Sequence, residues 1–209
     1  MTFHTWWLFV GAVFLLCGTP GPNMLHILSR SVETGLRQSV AAMAGCLVAL
    51  VIVLTASAAG LATLLLALPG VFEVLRYAGV AYLLYLGVRA WRAEAVPLDV
   101  AGGTLPRSVS LAALFRGGFA IGISNPKLIL FAVAFLPQFV TPSQPQGAQF
   151  AILVATFAAV ELFWYGVYAL GGRSLSGHLA RPPVRRAFDR ITGVIFIGFG
   201  LSLLRVKPS

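Results

Sequence analysis

The chain has 209 residues, of which 58% are hydrophobic and 10% are charged, and its mean hydropathy is +0.90. Soluble domains are roughly a quarter charged, so this composition excludes an ordinary soluble globular protein. The net charge of +9 could indicate a nucleic-acid partner in a soluble protein, but in so apolar a chain we assign it to basic loops beside a membrane.

Six apolar segments predict an all-α integral membrane protein with about six transmembrane helices. A segment of about 20 mostly apolar residues is long enough to cross the hydrocarbon core of a bilayer. The predicted spans lie near residues 6–28, 39–67, 72–91, 114–139, 148–170 and 189–206. No Lys or Arg precedes the first span, which favours a retained helix over a cleaved signal peptide.

The first and fourth spans are each interrupted by helix breakers. Residues 18–25 read Gly-Thr-Pro-Gly-Pro-Asn-Met-Leu, and residues 122–129 read Gly-Ile-Ser-Asn-Pro-Lys-Leu-Ile. An offset of 104 residues superposes Pro22 on Pro126 and places Asn23 opposite Lys127. This correspondence suggests that the two halves of the chain are related to each other.

A second correspondence extends the relationship to the third and sixth spans. At an offset of 114 residues, Arg76 and Gly79 superpose on Arg190 and Gly193. Each half then holds three spans, an odd number, so the halves are expected to lie inverted in the bilayer. Inverted repeats with interrupted helices in matching positions indicate the binding site of a transporter. We therefore predict a single transporter domain over residues 1–209, with repeat 1 near 6–91, a cytoplasmic loop near 92–113 and repeat 2 near 114–206.

The distribution of basic residues predicts the orientation. Cytoplasmic loops are enriched in Lys and Arg, and most of the 15 basic residues fall in three connections. These are the connection after span 1, with Arg30 and Arg37, the one between spans 3 and 4, and the one before span 6, with Arg173. Both termini are therefore expected on the outer side, although Arg205 and Lys207 near the C-terminus oppose this assignment.

The two breaks predict binding groups at membrane depth. Proline lacks an N–H donor, and backbone groups left unpaired in a bilayer must be satisfied by protein, water or a ligand. A helix that restarts at a break points its N-terminal amides into the gap, which suits a carboxylate. The alternative interpretation is a simple proline kink. The predicted substrate-binding residues are Pro20, Gly21, Pro22 and Asn23 at the first break and Ser124, Asn125, Pro126 and Lys127 at the second.

Lys127 and Glu161 are the charged residues well inside predicted spans. A charge at the bilayer centre costs at least about 2.5 kcal/mol, and such residues usually mark ion or substrate pathways. Lys127 is expected either to neutralise a substrate carboxylate or to reach the interface as an anchor. Burial disfavours a charged carboxyl group, so we expect Glu161 to couple transport to protons. The alternatives for Glu161 are an ion pair with Lys127 and a hydrogen bond to a tyrosine.

Helical spacing places Trp164, Tyr165 and Tyr168 on the same face as Glu161. This face either lines a cavity, in which case Tyr165 and Tyr168 join the predicted substrate-binding residues, or belongs to the aromatic belt of the membrane interface. Cys17 and Cys46 lie in apolar segments and are interpreted as packing residues. The spacing of Cys and His suggests no metal site, and we predict no catalytic residue and no cofactor.

Several segments in order carry a resemblance to a known family. They are residues 19–25, residues 72–87, and the Ser-Asn-Pro-Lys of residues 124–127 followed by the Phe-Leu-Pro-Gln-Phe of residues 135–139. The chain resembles the LysE/RhtB family of amino-acid exporters over essentially its whole length, and the homoserine/threonine branch more than the lysine/arginine branch. The resemblance implies a bacterial inner-membrane exporter of amino acids or close derivatives, driven by proton antiport. It also implies an acidic residue in the fifth helix, where Glu161 stands and relatives often carry Asp.

Two alternatives remain open. The first is export of another small solute or an inorganic ion, against which the lack of clustered Cys, His or intramembrane carboxylates argues. The second is a membrane enzyme or a non-transporting subunit, although no apposed nucleophile and base is visible. Small residues predict close helix packing, either within one protomer or between protomers of a homo-oligomer. They are Gly79, Gly87, Gly193, Gly198 and Gly200.

Overall fold

The computed structural model describes residues 1–67, 109–141 and 143–179, together with single helical positions between residues 77 and 92 and between residues 183 and 201. The described ranges contain helices and no strand, as predicted. The helices are α1 (Phe3–Gly18), α2 (Pro22–Thr34), α3 (Leu36–Ala67), α4 (Leu111–Ile123), α5 (Pro126–Ala134) and α6 (Gln146–Leu179), with a 3-10 turn (Leu136–Phe139) after α5.

Two helices of the described chain are long and apolar enough to cross a bilayer alone, over residues 36–60 of α3 and residues 146–171 of α6. Helices α1 and α2 meet at an angle of 51° and together would form a third span. Large apolar side chains point outward, as at Ile52, Leu162 and Phe163, whereas Asn23 and Glu161 are buried. Apolar residues outside and polar residues inside are typical of a membrane protein.

The six-span inverted repeat stays a prediction. The predicted third and sixth spans fall largely outside the described residues, as does most of the predicted cytoplasmic loop. Among the proposed small packing residues, Gly79 and Gly200 also lie outside them. A Cβ atom built on Gly87 would lie 2.9 Å from the carbonyl oxygen of Gly193, so these two glycines pack within one protomer.

The connection after the first span is shorter than predicted. Helix α2 ends at Thr34 and α3 begins at Leu36, so Gly35 alone joins them. Gly35 has φ 86° and ψ 161°, a combination that is essentially restricted to glycine. The prediction that Arg30 and Arg37 lie in a loop was therefore wrong, because both belong to helices.

The apolar span Gln146–Gly171 agrees with the fifth predicted span, near residues 148–170, but its helix is longer. Helix α6 continues to Leu179, past the predicted end at residue 170, so Arg173 is helical and not part of a loop. The helix passes through the glycines at 171 and 172, and a glycine inside a helix costs only about 1 kcal/mol relative to alanine. The residues that follow continue the helix despite this cost.

Helices α3 and α4 pack with their backbones in close contact. A Cβ atom on Gly45 would collide with the carbonyl oxygen of Phe115, and one on Gly118 would collide with that of Ala42. Cys46 donates a hydrogen bond through its sulfur to the carbonyl oxygen of Gly118, at 3.2 Å. Small residues commonly allow such close helix contacts in membranes, and this contact places the start of the second break beside α3.

Candidate functional site

The two interruptions are built in the same way. Helix α1 ends at Gly18 and α2 begins at Pro22, with Gly21 as its N-cap. Helix α4 ends at Ile123 and α5 begins at Pro126, with Asn125 as its N-cap. Proline suits the first position of a helix because the N–H that it lacks would have no partner there. Both predicted breaks are therefore present, and their prolines occupy equivalent positions.

A hydrogen bond between asparagine side chains joins the two breaks. Asn125 Nδ2 donates to Asn23 Oδ1 at 3.0 Å, and Asn125 Oδ1 accepts from the backbone N–H of Lys127 at 3.1 Å. Asn125 thus caps α5 and contacts the first break at the same time. The amide of Asn23 in turn donates toward α6, to the hydroxyl of Tyr165 at 3.2 Å and to Glu161 Oε1 at 3.5 Å.

Helix α6 supplies a polar face that closes the site. Glu161 is 6% exposed, and Tyr165 and Tyr168 are fully buried or nearly so. The hydroxyl of Tyr168 donates to the carbonyl oxygen of Gly18 at 2.9 Å, at the end of α1. These two tyrosines therefore face the protein interior and do not belong to an aromatic belt. Trp164 packs against Gly18, where a Cβ atom would lie 2.7 Å from the indole ring.

Lys127 reaches from the second break to the first. Its Nζ donates to the carbonyl oxygen of Leu16 at 2.6 Å, to Thr19 Oγ1 at 2.9 Å and to the carbonyl oxygen of Thr19 at 3.3 Å. The side chain is thus held by the end of α1. No ion pair joins Lys127 to Glu161 in the described chain, although both side chains line one cavity.

The cavity lies between the breaks and has a volume of about 20 Å³. A water molecule needs roughly 10–15 Å³ measured in this way, so the space holds one water and is too small for an amino acid. The site would therefore have to widen to admit such a substrate. The lining residues are Leu16, Cys17, Gly21, Asn23, Met24, Asn125, Lys127, Leu128, Phe157 and Glu161.

The structure brings together five of the predicted site residues on the cavity wall, and they are Gly21, Asn23, Asn125, Lys127 and Glu161. Tyr165 and Tyr168 adjoin the site through the hydrogen bonds described above. Pro20, Pro22 and Pro126 shape the breaks but are not among the lining residues.

Ser124 stands apart from the other predicted site residues. It is exposed, and its hydroxyl donates back to the carbonyl oxygen of Ala120 at 2.6 Å. Its side chain therefore provides a hydrogen-bond donor to the last turn of α4 and does not line the cavity.

Two contributors at the end of α1 were not predicted. Thr19 provides two of the oxygens around Lys127, and its position inside the breaker segment was a signal that could have identified it. Leu16 contributes only its backbone carbonyl, which no side-chain pattern could reveal. Cys17 lines the cavity, although it was interpreted as a packing residue.

The first backbone amides of α2 lack the side-chain cap that those of α5 have. Gly21 provides no side-chain cap for the first amides of α2, whereas the side chain of Asn125 caps α5. A Cβ atom on Gly21 would lie 3.3 Å from the Nζ of Lys127, so an ammonium group lies beside these amides. Helix N-termini favour anions, and an adjacent cation strengthens that preference.

Comparisons with known proteins identify relatives of this chain. Residues 10–207 match the family described as LysE type translocator. The chain is 34% identical over 208 residues to a homoserine/homoserine lactone efflux protein of Salmonella typhimurium, and the match covers 99% of each chain. It is 31% identical over 205 residues to a leucine efflux protein of Salmonella choleraesuis, covering 97% of this chain and 95% of the relative. No solved structure matches the chain.

Proposed function

The chain belongs to the LysE type translocator family, and we propose from this premise that it exports amino acids or close derivatives across the bacterial inner membrane by proton antiport. The relatives reported above are named as efflux proteins for homoserine, homoserine lactone and leucine. Those names describe the relatives, and they support an amino-acid-type substrate for this chain. The family is one of translocators, so we propose no chemical reaction.

The observation that carries the proposal is the placement of Lys127 and Glu161. These opposite charges line the same cavity without pairing with each other. An α-amino acid carries a carboxylate and an ammonium group a few atoms apart, and it can therefore neutralise both residues at once. Buried charges that lack such compensation are costly in a membrane.

Each end of the substrate has a matching group. The carboxylate would lie at the uncapped amides of Asn23 and Met24, beside Lys127, where the helix terminus and the lysine both favour an anion. The ammonium group would lie at Glu161, with the side-chain oxygens of Asn23 and Asn125 as further acceptors. The breaks would then serve as the binding site and not only as kinks.

Glu161 is proposed to couple transport to protons. A proton that reaches Glu161 from the outside would neutralise the carboxylate and weaken its hold on the substrate ammonium, which favours release outward. Loss of that proton to the cytoplasm would restore the binding form. A gradient can drive this cycle only if the inward-facing and outward-facing states differ in affinity, and the protonation of Glu161 is proposed to supply that difference.

We propose the orientation of the chain from the distribution of its basic residues. With the side richer in Lys and Arg on the cytoplasmic face, both termini would face the outside, and the site would exchange between the cytoplasm and the outer face. The inverted repeat over residues 6–91 and 114–206 and the possible homo-oligomer remain part of the same proposal.

The experiment is an efflux assay in bacterial cells loaded with a mixture of dipeptides, with external amino acids followed by mass spectrometry. Cells that express the chain are compared with cells that carry an empty vector. We expect one or a few amino acids, with homoserine and leucine tested first, to accumulate outside faster than in the control. If no amino acid or derivative differs from the control at confirmed membrane expression, the proposed substrate class is wrong.

A further inference from the structure

The ammonium group of Lys127 occupies an oxygen cage at the end of α1. An ammonium group has three donors, and the structure gives it three acceptors: the carbonyl oxygens of Leu16 and Thr19 and the hydroxyl oxygen of Thr19. All three acceptors lie within 3.3 Å of the nitrogen. Removal of the ammonium would leave both oxygens of Thr19 without this partner, whereas the carbonyl oxygen of Leu16 would keep its hydrogen bonds from Thr19.

The position of the cage is suited to a cation. The C-terminal end of a helix carries a partial negative charge. Pro20 has no N–H to donate to the carbonyl oxygen of Leu16, which accepts instead from the backbone N–H of Thr19 at 3.3 Å and from its hydroxyl at 2.7 Å. Lys127 itself lies in the first turn of α5, where a cation is disfavoured by the positive end of that helix. Electrostatic interaction is therefore more favourable when the side chain reaches to the negative, C-terminal end of α1.

Carbonyl groups at the C-terminal ends of half-helices form the sites at which many transporters bind Na⁺. We propose that the end of α1 is a monovalent-cation site whose resident occupant is the ammonium group of Lys127. The tethered cation replaces a free one, so the wild-type protein binds and transports without Na⁺. Removal of the ammonium empties the cage, which then accepts a free monovalent cation of similar size or a primary ammonium ion.

The direct test measures the melting temperature of purified protein with Lys127→Ala, which deletes the three methylene groups and the ammonium beyond Cβ. Propylammonium chloride, sodium chloride and tetramethylammonium chloride are compared at equal concentration. A ligand that binds the folded state raises its stability in proportion to the logarithm of its concentration. We expect propylammonium, and to a smaller extent Na⁺, to raise the melting temperature of Lys127→Ala above its value in tetramethylammonium.

Two control variants make the result specific. Lys127→Met fills the vacated space with an apolar chain and should show no recovery with propylammonium. Arg37→Ala removes an exposed cation and should respond to the three salts as the wild-type protein does. The proposal is overturned if Lys127→Ala melts at the same temperature in all three salts, or if the wild-type protein and Arg37→Ala gain as much as it does.

A second measurement uses the wild-type protein, so that it holds even if Lys127→Ala does not fold. It rests on the proposed function, because it measures amino-acid efflux in media in which choline replaces Na⁺. We expect the efflux rate to be unchanged, and a rate that falls to the vector level without Na⁺ would overturn the proposal. If efflux is absent in both media, the proposed function fails, while the melting experiment still decides the cation site.

Discussion

The side chain of Asn125 donates a hydrogen bond of 3.0 Å to that of Asn23, which lies 102 positions earlier in the chain. This bond links the two places at which the helices are interrupted, and Glu161 and Lys127 line the same cavity as the two asparagines. The site is therefore a junction between two half-helices from different parts of the sequence. Substitutions at one break should therefore affect the packing of the other.

The junction can be tested by a double-mutant cycle. Asn23→Ala leaves Asn125 and the hydroxyl of Tyr165 without their partner, and Asn125→Ala removes the cap of α5. Each single change should lower the free energy of unfolding by about 1–3 kcal/mol, because buried polar groups lose their hydrogen bonds. The loss in the double variant should be smaller than the sum of the two. Strictly additive losses in thermal or chemical unfolding would show that the bond contributes nothing.

Glu161→Gln tests proton coupling. Glutamine keeps the size of the side chain and an oxygen for Asn23, but it cannot carry a proton or a negative charge. In proteoliposomes we expect uptake driven by an imposed pH gradient to fall to the level of empty liposomes. Glu33→Gln is the matched control, because Glu33 pairs with Arg30 at 3.1 Å away from the cavity. It should keep gradient-driven transport at equal reconstitution. A Glu161→Gln protein that responds to the gradient as the wild type does would exclude the proposed role.

The contact between α3 and α4 predicts a strong effect at Gly118. Gly118→Ala places a methyl group against the backbone of Ala42, which cannot move aside unless the two helices separate. Overpacking of this kind typically costs about 1–3 kcal/mol. The melting temperature should fall, and the matched variant Gly11→Ala should not lower it, since nothing lies within 4 Å of a Cβ there. Equal melting temperatures of the two variants would contradict the close packing.

Gly35 predicts an effect of backbone conformation alone. A Cβ atom at Gly35 would meet nothing within 4 Å, but the residue has φ 86°. Gly35→Ala should therefore destabilise the protein by about 1–3 kcal/mol through backbone strain. Gly147 also has open space around it and does not have a positive φ, so Gly147→Ala serves as the control. The unfolding of both variants can be compared by differential scanning fluorimetry.

Much of the site could be predicted from the sequence because its signals are local. Pro22 and Pro126 mark the two breaks by their chemistry, and Glu161 is conspicuous because a carboxylate in an apolar segment is costly and usually marks a functional site. Hydrophobicity alone located the helices that became α3 and α6. The family match over residues 10–207 agrees with the resemblance carried by these same segments.

The rest depends on tertiary contacts that local pattern does not encode. The reach of Lys127 to the carbonyls of Leu16 and Thr19 follows from the relative placement of α1 and α5, which the sequence around Lys127 does not encode. Ser124 lies within the motif, yet its hydroxyl turns back to its own helix. The extension of α6 to Leu179 was missed because the glycines at 171 and 172 weaken a helix without ending it.

Cys17 gives the protein a built-in reporter of its transport cycle. Cys17 lines the cavity and is 1% exposed, so reagents that alkylate thiols should reach it only when the cavity widens. An impermeant reagent applied from one face of the membrane would then identify the state that is open to that face. Cys46 is held between α3 and α4 by its contact with Gly118, and it should remain unlabelled while those helices stay packed. Labelling of Cys17 alone would thus indicate that the cavity opens, whereas labelling of both cysteines would indicate that the helix packing loosens.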